Sequence, residues 1–248
     1  TAPRVHSTNA RGYRELELDD TTCRRCNDVL VTALQGGKQL TRPELASALQ
    51  QTGIATDDLR RITYILMRAE LDGIICSGAR RGKQFTYALL DERAPHARKL
   101  DRDEALAKLT LRYFTSHGPA TLQDFGWWSG LTTADVRAGI TMVASQLLHE
   151  TLDDQTYWFS SSPTQSTGRT AYLLPNFDEY TVGYKDRSAV FDPSHAQHLD
   201  PRSNVLNNVI VIDGRVVGTW RRTIKKNSVI IMPHLFTSLN KDEVSTLT

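Results

Sequence analysis

Leu40-Thr-Arg-Pro-Glu-Leu45, Gly53-Ile54 and Ala55-Thr-Asp-Asp-Leu-Arg60 are answered further along the chain by Ala120-Thr-Leu-Gln-Asp-Phe125, Gly130-Leu131 and Thr132-Thr-Ala-Asp-Val-Arg137. Each set reads as a capped helix, a glycine turn and a second capped helix. Thr41 with Glu44, and Thr121 with Asp124, place a hydroxyl and a carboxylate three residues apart, where each satisfies a backbone N–H the first helical turn leaves open. Pro43 inside the first turn costs nothing there, because its missing N–H has no helical partner. A helix before each set and two short strands after it complete the order of a winged helix-turn-helix. Two such units in tandem point toward duplex DNA.

Working outward, a first helix is expected from near Asp20 to Gly36-Gly37, and a second from Thr41 to Gly53. Thr56, with Asp57 and Asp58 in the first turn, predicts the start of a third, whose Leu59, Ile62, Leu66 and Ala69 form one apolar stripe. A hairpin around Gly78-Ala-Arg-Arg-Gly82 follows. In the second copy, Asp101 opens a helix closing at His117-Gly118-Pro119, and Thr121 and Thr132 cap the next two. Val136, Ile140, Val143 and Leu147 give the third its apolar face, and a short wing turns at Asp153-Asp154-Gln155. Beyond Ser160 the period changes from 3.6 to 2. Val209-Ile-Val-Ile212, Asp213-Gly214 and Arg215-Val-Val-Gly-Thr-Trp220 predict a tight hairpin, and Lys226-Asn227 turns the chain into Ser228-Val-Ile-Ile-Met232. The expected fold is α+β, with a winged-helix unit at 1–95, a second at 96–160, a linker at 161–168 and a β-rich portion at 169–248, a meander or small barrel.

The composition bounds the function. With 248 residues, 40% hydrophobic and 23% charged, the chain is of ordinary globular type and long enough for two or three small cores. A net charge of +2 does not itself argue for nucleic acid, so the placement of the cations must. The longest apolar runs are too short to span a bilayer. Three cysteines and no visible leader suggest a cytoplasmic protein without a disulfide framework. Cys23-Arg-Arg-Cys26 has redox or half-zinc spacing, but it lies in a helical pattern without a second pair and is read as neither. The absent initiator Met, and a cap at Leu239-Asn-Lys-Asp-Glu-Val244 with almost no helix after it, suggest part of a longer protein. No heptads demand a dimer, and a monomer is expected.

Candidate DNA contacts follow from the repeat. Opposite the apolar stripe of the third helix stand Arg60, Tyr64 and Arg68, with Arg61 beside them, on the element that enters the major groove in a winged helix. The wing carries Arg80, Arg81, Lys83 and Gln84 around a glycine that lets backbone approach phosphate. The second copy offers only Arg137 outward, and Asp153 and Asp154 on its wing repel phosphate. Trp127 and Trp128 are read as core in preference to a platform for an unpaired base. In the β-rich portion, Arg221 and Arg222 fall on opposite faces of one strand, near Lys225 and Lys226. Lys185 and Arg187 are further cations. Asp178 and Glu179 are read as structural carboxylates before a catalytic pair. His195 and His198 lack a third ligand, so no metal or other cofactor is expected.

Several long segments resemble one family. Ala69-Glu-Leu-Asp-Gly-Ile-Ile-Cys-Ser-Gly78, Arg81-Gly-Lys-Gln-Phe-Thr-Tyr87, Arg112-Tyr-Phe-Thr-Ser-His-Gly-Pro-Ala-Thr121, Trp127-Trp-Ser-Gly-Leu131, Leu174-Pro-Asn-Phe-Asp-Glu-Tyr180 and Gly183-Tyr-Lys-Asp-Arg187 are similar to the AlkZ-like winged-helix DNA-binding family, in family order. The resemblance implies tandem winged helices, a β-rich C-terminal portion, and a metal-free monofunctional DNA glycosylase that removes alkylated bases or unhooks crosslinks. It also implies a catalytic triplet of Gln, an apolar residue, and Gln or Asp. Gln39-Leu-Thr41 and Gln84-Phe-Thr86 match two positions and depart at the third, so no catalytic residue is carried over. A triplet upstream of these residues, or loss of catalysis, would account for this equally. The alternative function is a non-catalytic DNA-binding protein such as a transcriptional regulator.

Overall fold

The computed structural model describes residues 1–160, 168–198 and 208–247, so nearly all of the expected linker at 161–168 lies outside the described residues. The chain forms two compact units, Thr1–Lys99 and Leu100–Thr248, and mixes helices with antiparallel sheets. It is α+β, as expected.

In the first unit the order is α1 (Ala2–Glu15), α2 (Asp20–Leu34), β1 (Leu40–Thr41), α3 (Arg42–Gln51), α4 (Leu59–Leu71), β2 (Ile75–Ser77), β3 (Thr86–Leu89) and α5 (Leu90–Arg93). The Asp19 carboxylate accepts the Thr22 N–H at 2.7 Å and starts α2. At the head of α3, the Glu44 carboxylate accepts from the backbone N–H and hydroxyl of Thr41 at 2.7 and 2.8 Å. Leu30, Leu34, Leu45, Leu49 and Leu66 are buried in one core with Ile62, Ile65 and Ala69. Burying each leucine contributes roughly 1.5–3 kcal/mol. The hairpin pairs Ile75 with Leu89, and β1 adds a third strand through Leu40 and Tyr87.

Three expectations for this unit are corrected. The cap of α4 is Asp58, whose carboxylate accepts the Arg60 N–H at 2.7 Å, while Thr56 is buried and donates to the Ala46 carbonyl. Leu59 is 69% exposed, because it sits in the first turn beyond the edge of the core, and Ile65 takes its place in the stripe. Finally, α1 was not legible. Its 14 residues are mostly polar, and it is ordered by what it docks on.

In the second unit the order is α6 (Arg102–His117), α7 (Leu122–Ser129), α8 (Thr133–Val143), β4 (Leu148–Leu152), β5 (Gln155–Phe159), β6 (Ala171–Leu173), α9 (Glu179–Val182), β7 (Val209–Ile212), β8 (Arg215–Lys225), β9 (Ser228–Leu235) and α10 (Lys241–Leu247). The expected caps hold at Asp101, Thr121 and Thr132, and Gly130 takes the left-handed conformation that ends α7. Val136, Ile140, Val143 and Leu147 pack with Tyr113, Phe114 and Phe125. Both turn residues between β4 and β5, Asp153 and Asp154, have positive φ, as do Asp213 and Gly214 in the later hairpin. Strands β6-β7-β8-β9 form an antiparallel sheet in chain order, a meander. The chain after α9 is tied to the helices before it. Asp124, buried in α7, accepts the Lys185 and Asp186 N–H groups at 2.8 and 3.3 Å, and Tyr113 donates to the Gly183 carbonyl at 3.1 Å. At the far end the expected short stub is a helix of 7 residues, α10, begun by Asn240 and Glu243 bonding to each other's backbone N–H.

Candidate nucleic-acid interface

The outward face of α4 is covered, not free. Helix α1 runs antiparallel along it, as a ladder of contacts shows. His6 Nε2 lies 3.1 Å from Asp72 at the end of α4, Tyr13 meets Tyr64 edge-on at 5.6 Å, and Glu15 pairs with Arg60 at 3.3 Å. The approach is close at Gly12, where any side chain would run into the Tyr64 ring. Arg61 donates to the Leu16 carbonyl. Arg68 lies over the Tyr13 ring, pairs with Asp20 at 2.8 Å and with Asp72 at 3.7 Å, and keeps only 21% of its side chain exposed. The expectation that Arg60, Arg61, Tyr64 and Arg68 form an open basic face is therefore corrected. Tyr64 and Arg68 hold α1, Arg61 joins the turn after it, and of the four only Arg60 stays largely exposed.

The loop between β2 and β3, read from the sequence as a wing, sorts its cations differently. Arg81 and Gln84 exchange backbone hydrogen bonds at 3.0 and 3.1 Å across Gly82, which has the positive φ of a tight tip. The Arg81 guanidinium turns back onto the protein, pairing with Glu44 at 2.7 Å and donating to the Gln39 carbonyl at 2.5 Å. Hydrogen bonds from the Thr41 N–H and hydroxyl, and then from the Arg81 guanidinium, hold the Glu44 carboxyl down at about 2. The Gln39 side chain accepts the Ala79 N–H at 2.6 Å, so it ties this loop to the segment that leads into β1. Arg80 stacks on the exposed Phe85 ring at 4.4 Å, and Lys83 is exposed. Two cations thus point outward from a tip that Arg81 and Gln39 make rigid.

In the second unit, Arg137 and Lys185 come together, a meeting their sequence separation concealed. They line a pocket of about 690 Å³ with Leu122, Gln123, Gly126, Trp127, Leu131, Thr133 and Val136. Lys185 Nζ donates to Gln123 at 3.2 Å, and its backbone is fixed by Asp124. Trp127 and Trp128 are 53% and 37% exposed, which corrects their reading as core. The indole N–H of Trp127 donates to the Val182 carbonyl at 3.2 Å, and that of Trp128 to Glu179. Arg187 stands apart, half-buried, with its guanidinium pushed below its ordinary value by desolvation.

Strands β8 and β9 continue beyond the sheet as a two-stranded ribbon whose residues from Arg221 onward are exposed. Register settles its faces. Arg222 lies opposite Ile231 and shares a face with Ile224 and Val229, whereas Arg221 lies opposite Met232 and shares its face with Thr223, Lys225 and Ile230. Arg221 and Arg222 occupy opposite faces, as expected. The sequence did not reveal that Ile224, Val229, Ile231 and Met232 would be exposed, between 48% and 70%, because alternating apolar strands ordinarily signal a core.

The remaining candidates have structural work. Asp178 caps α9 by accepting the Tyr180 N–H, and Glu179 meets His117 Nε2 at 3.1 Å. Cys23 and Cys26 are buried, and desolvation raises both thiols, Cys26 to about 11. The His195 ring packs against Phe236, and the His198 side chain lies outside the described residues. Among the described residues, no three His, Cys, Asp or Glu side chains gather as a metal site, and no helix is long and apolar enough to cross a membrane.

Exposed cations on the β2–β3 loop and on the β8–β9 ribbon form basic patches of the kind that meet a phosphate backbone. Residues 1–247 match the DNA glycosylase AlkZ-like family, and the chain belongs to it. It is 25% identical over 242 residues to an interstrand DNA cross-link repair glycosylase of Streptomyces sahachiroi, with 91% of this chain and 63% of that protein aligned. The solved structure of the S. sahachiroi DNA glycosylase AlkZ superposes with a TM-score of 0.69 at 22% identity, covering 94% of this chain and 66% of that one. The chain thus shares that fold and spans a little under two thirds of these relatives' length.

Proposed function

We propose that this chain is the duplex-gripping part of a DNA glycosylase that excises alkylated or crosslinked purines during DNA repair. Membership of the AlkZ-like family along 1–247 carries the reading. The two helix–helix–helix–hairpin orders, 20–89 and 102–159, support tandem winged helices, the first wing cationic and the second acidic. Arg80 and Lys83 are the leading phosphate contacts, with Gln84 beside them at the tip. Arg221 and Arg222 contact the backbone from the ribbon, and Arg137 and Lys185 extend the surface. The protein acts as a cytoplasmic monomer on double-stranded DNA, with no cofactor.

The chemistry is hydrolysis of an N-glycosidic bond. Alkylation on a ring nitrogen leaves the purine positively charged, so the C1′–N bond breaks with its electron pair moving to the base and neutralising it. Water oxygen bonds to C1′ and releases a proton to solvent. An already activated leaving group needs little acid catalysis. No described residue is assigned as the base: Gln39 is spent on the Ala79 N–H, Gln84 belongs to the wing, and Glu179 to the His117–Trp128 cluster.

The test is abasic-site formation in alkylated and in crosslinked duplexes, comparing the complete gene product with this 248-residue chain. Base release by either establishes the glycosylase. Binding without release from both leaves a DNA-binding protein without chemistry.

A further inference from the structure

The pocket between α7 and α8 is built for a ligand of mixed character. Its lining combines apolar Leu122, Leu131 and Val136 with the half-exposed ring of Trp127 and the cations Arg137 and Lys185. Its volume, about 690 Å³, lies within the range of roughly 300–1,000 Å³ typical of small-molecule sites. Three observations show preorganisation. The Trp127 ring is fixed through its N–H to the Val182 carbonyl, the Lys185 backbone is fixed to buried Asp124, and the Lys185 ammonium is steadied by Gln123. Neither Arg137 nor the Lys185 ammonium forms an ion pair with a described carboxylate. A fourth observation concerns Gly126. A Cβ there would meet only Val136, at an ordinary 3.5 Å, and its φ is not of the kind that requires glycine. Glycine in a helix interior costs about 1 kcal/mol relative to alanine. Neither packing nor backbone demands it, and its missing side chain leaves room on a residue that lines the pocket.

We propose that this pocket takes one unpaired nucleotide, its base against Trp127 over Gly126 and its phosphate between Arg137 and Lys185. An aromatic wall is indifferent to which base stacks on it, whereas paired cations select a phosphate over an uncharged sugar. The inference rests on the DNA-binding reading for its source, since the same chemistry is offered by a free mononucleotide.

The experiment compares binding of a paired duplex, the same duplex with one unpaired adenosine nucleotide, deoxyadenosine monophosphate and deoxyadenosine. Stacking of a base on an aromatic side chain is worth about tenfold or more in affinity. The unpaired-base duplex should therefore bind about tenfold tighter than the paired one. Trp127→Leu should erase that difference while leaving paired-duplex affinity unchanged within about twofold. Trp127 is half-exposed, so the variant folds, which an unchanged melting curve verifies. The monophosphate should outbind the nucleoside, and Arg137→Ala with Lys185→Ala should abolish that preference. Equal binding of both duplexes to the wild type, or a preference surviving Trp127→Leu, overturns the inference and leaves the DNA reading intact. If neither duplex binds, the DNA reading fails, and the pocket is then decided by whether the monophosphate quenches tryptophan fluorescence in the wild type and not in Trp127→Leu: such quenching identifies a free-nucleotide site, and its absence overturns the inference.

Discussion

The separation of outward from inward cations in the first unit makes a quantitative expectation about salt. Protein–duplex affinity falls with log salt at a slope of about 0.9 for each phosphate neutralised. Arg80 and Lys83 point outward from the wing, while Arg68 is held by Asp20, Asp72 and the Tyr13 ring. Replacing Arg80 and Lys83 together by alanine removes two phosphate contacts and should lower the slope by about 1.8. Over a fourfold rise in salt, the wild type then loses about tenfold more affinity than the variant. Arg68→Ala should leave the slope unchanged and lower the unfolding midpoint. Fluorescence anisotropy of a labelled duplex titrated at several salt concentrations measures both. A slope unaltered in the wing variant, or flattened as much by Arg68→Ala, would refute the assignment of the wing as outward and α4 as covered.

Three further expectations follow. Tyr13→Ala opens a cavity between α1 and α4 and should cost about 3 kcal/mol in urea denaturation; a loss below about 0.5 kcal/mol would mean α1 is not docked as described. Asp124→Ala strips the acceptor from the Thr121, Lys185 and Asp186 N–H groups and should cost about 2–4 kcal/mol, with faster amide exchange at Lys185 and Asp186, and unchanged exchange there would count against the anchor. The Glu44 carboxyl is held down by Thr41 and Arg81, so its stabilisation is complete above the ordinary carboxylate range, near pH 4.5, and is lost as pH falls toward about 2. The stability gap between wild type and Glu44→Gln should accordingly shrink through that window; a gap constant with pH would sink the argument.

Much of the fold was written in local signals. Thr41 with Glu44, Thr121 with Asp124, and Thr132 mark helix starts because their side chains satisfy backbone groups within four residues. Asp153-Asp154 and Asp213-Gly214 mark turns because few residues tolerate positive φ. The site was legible only in part. The wing appeared as Arg80, Arg81 and Lys83, but nothing local distinguishes Arg80, stacked on its own hairpin, from Arg81, which reaches back to Glu44 on α3. The alternation of β8 and β9 was readable, whereas the exposure of Ile224 and Val229 depended on the sheet ending before them.

The sequence by itself determined where α2, α3, α6, α7 and α8 begin, where hairpins turn and most of the apolar faces of α4 and α8, since each is governed by neighbours a few residues apart. Tertiary structure alone decided that the polar stretch 2–15 is a helix covering the basic face of α4. It also brought Lys185 to the pocket that Arg137 lines and turned Trp127 outward. Those outcomes depend on contacts between residues distant in the chain, such as Tyr13 with Tyr64 and Asp124 with Lys185, and no local pattern records the free energy such contacts supply.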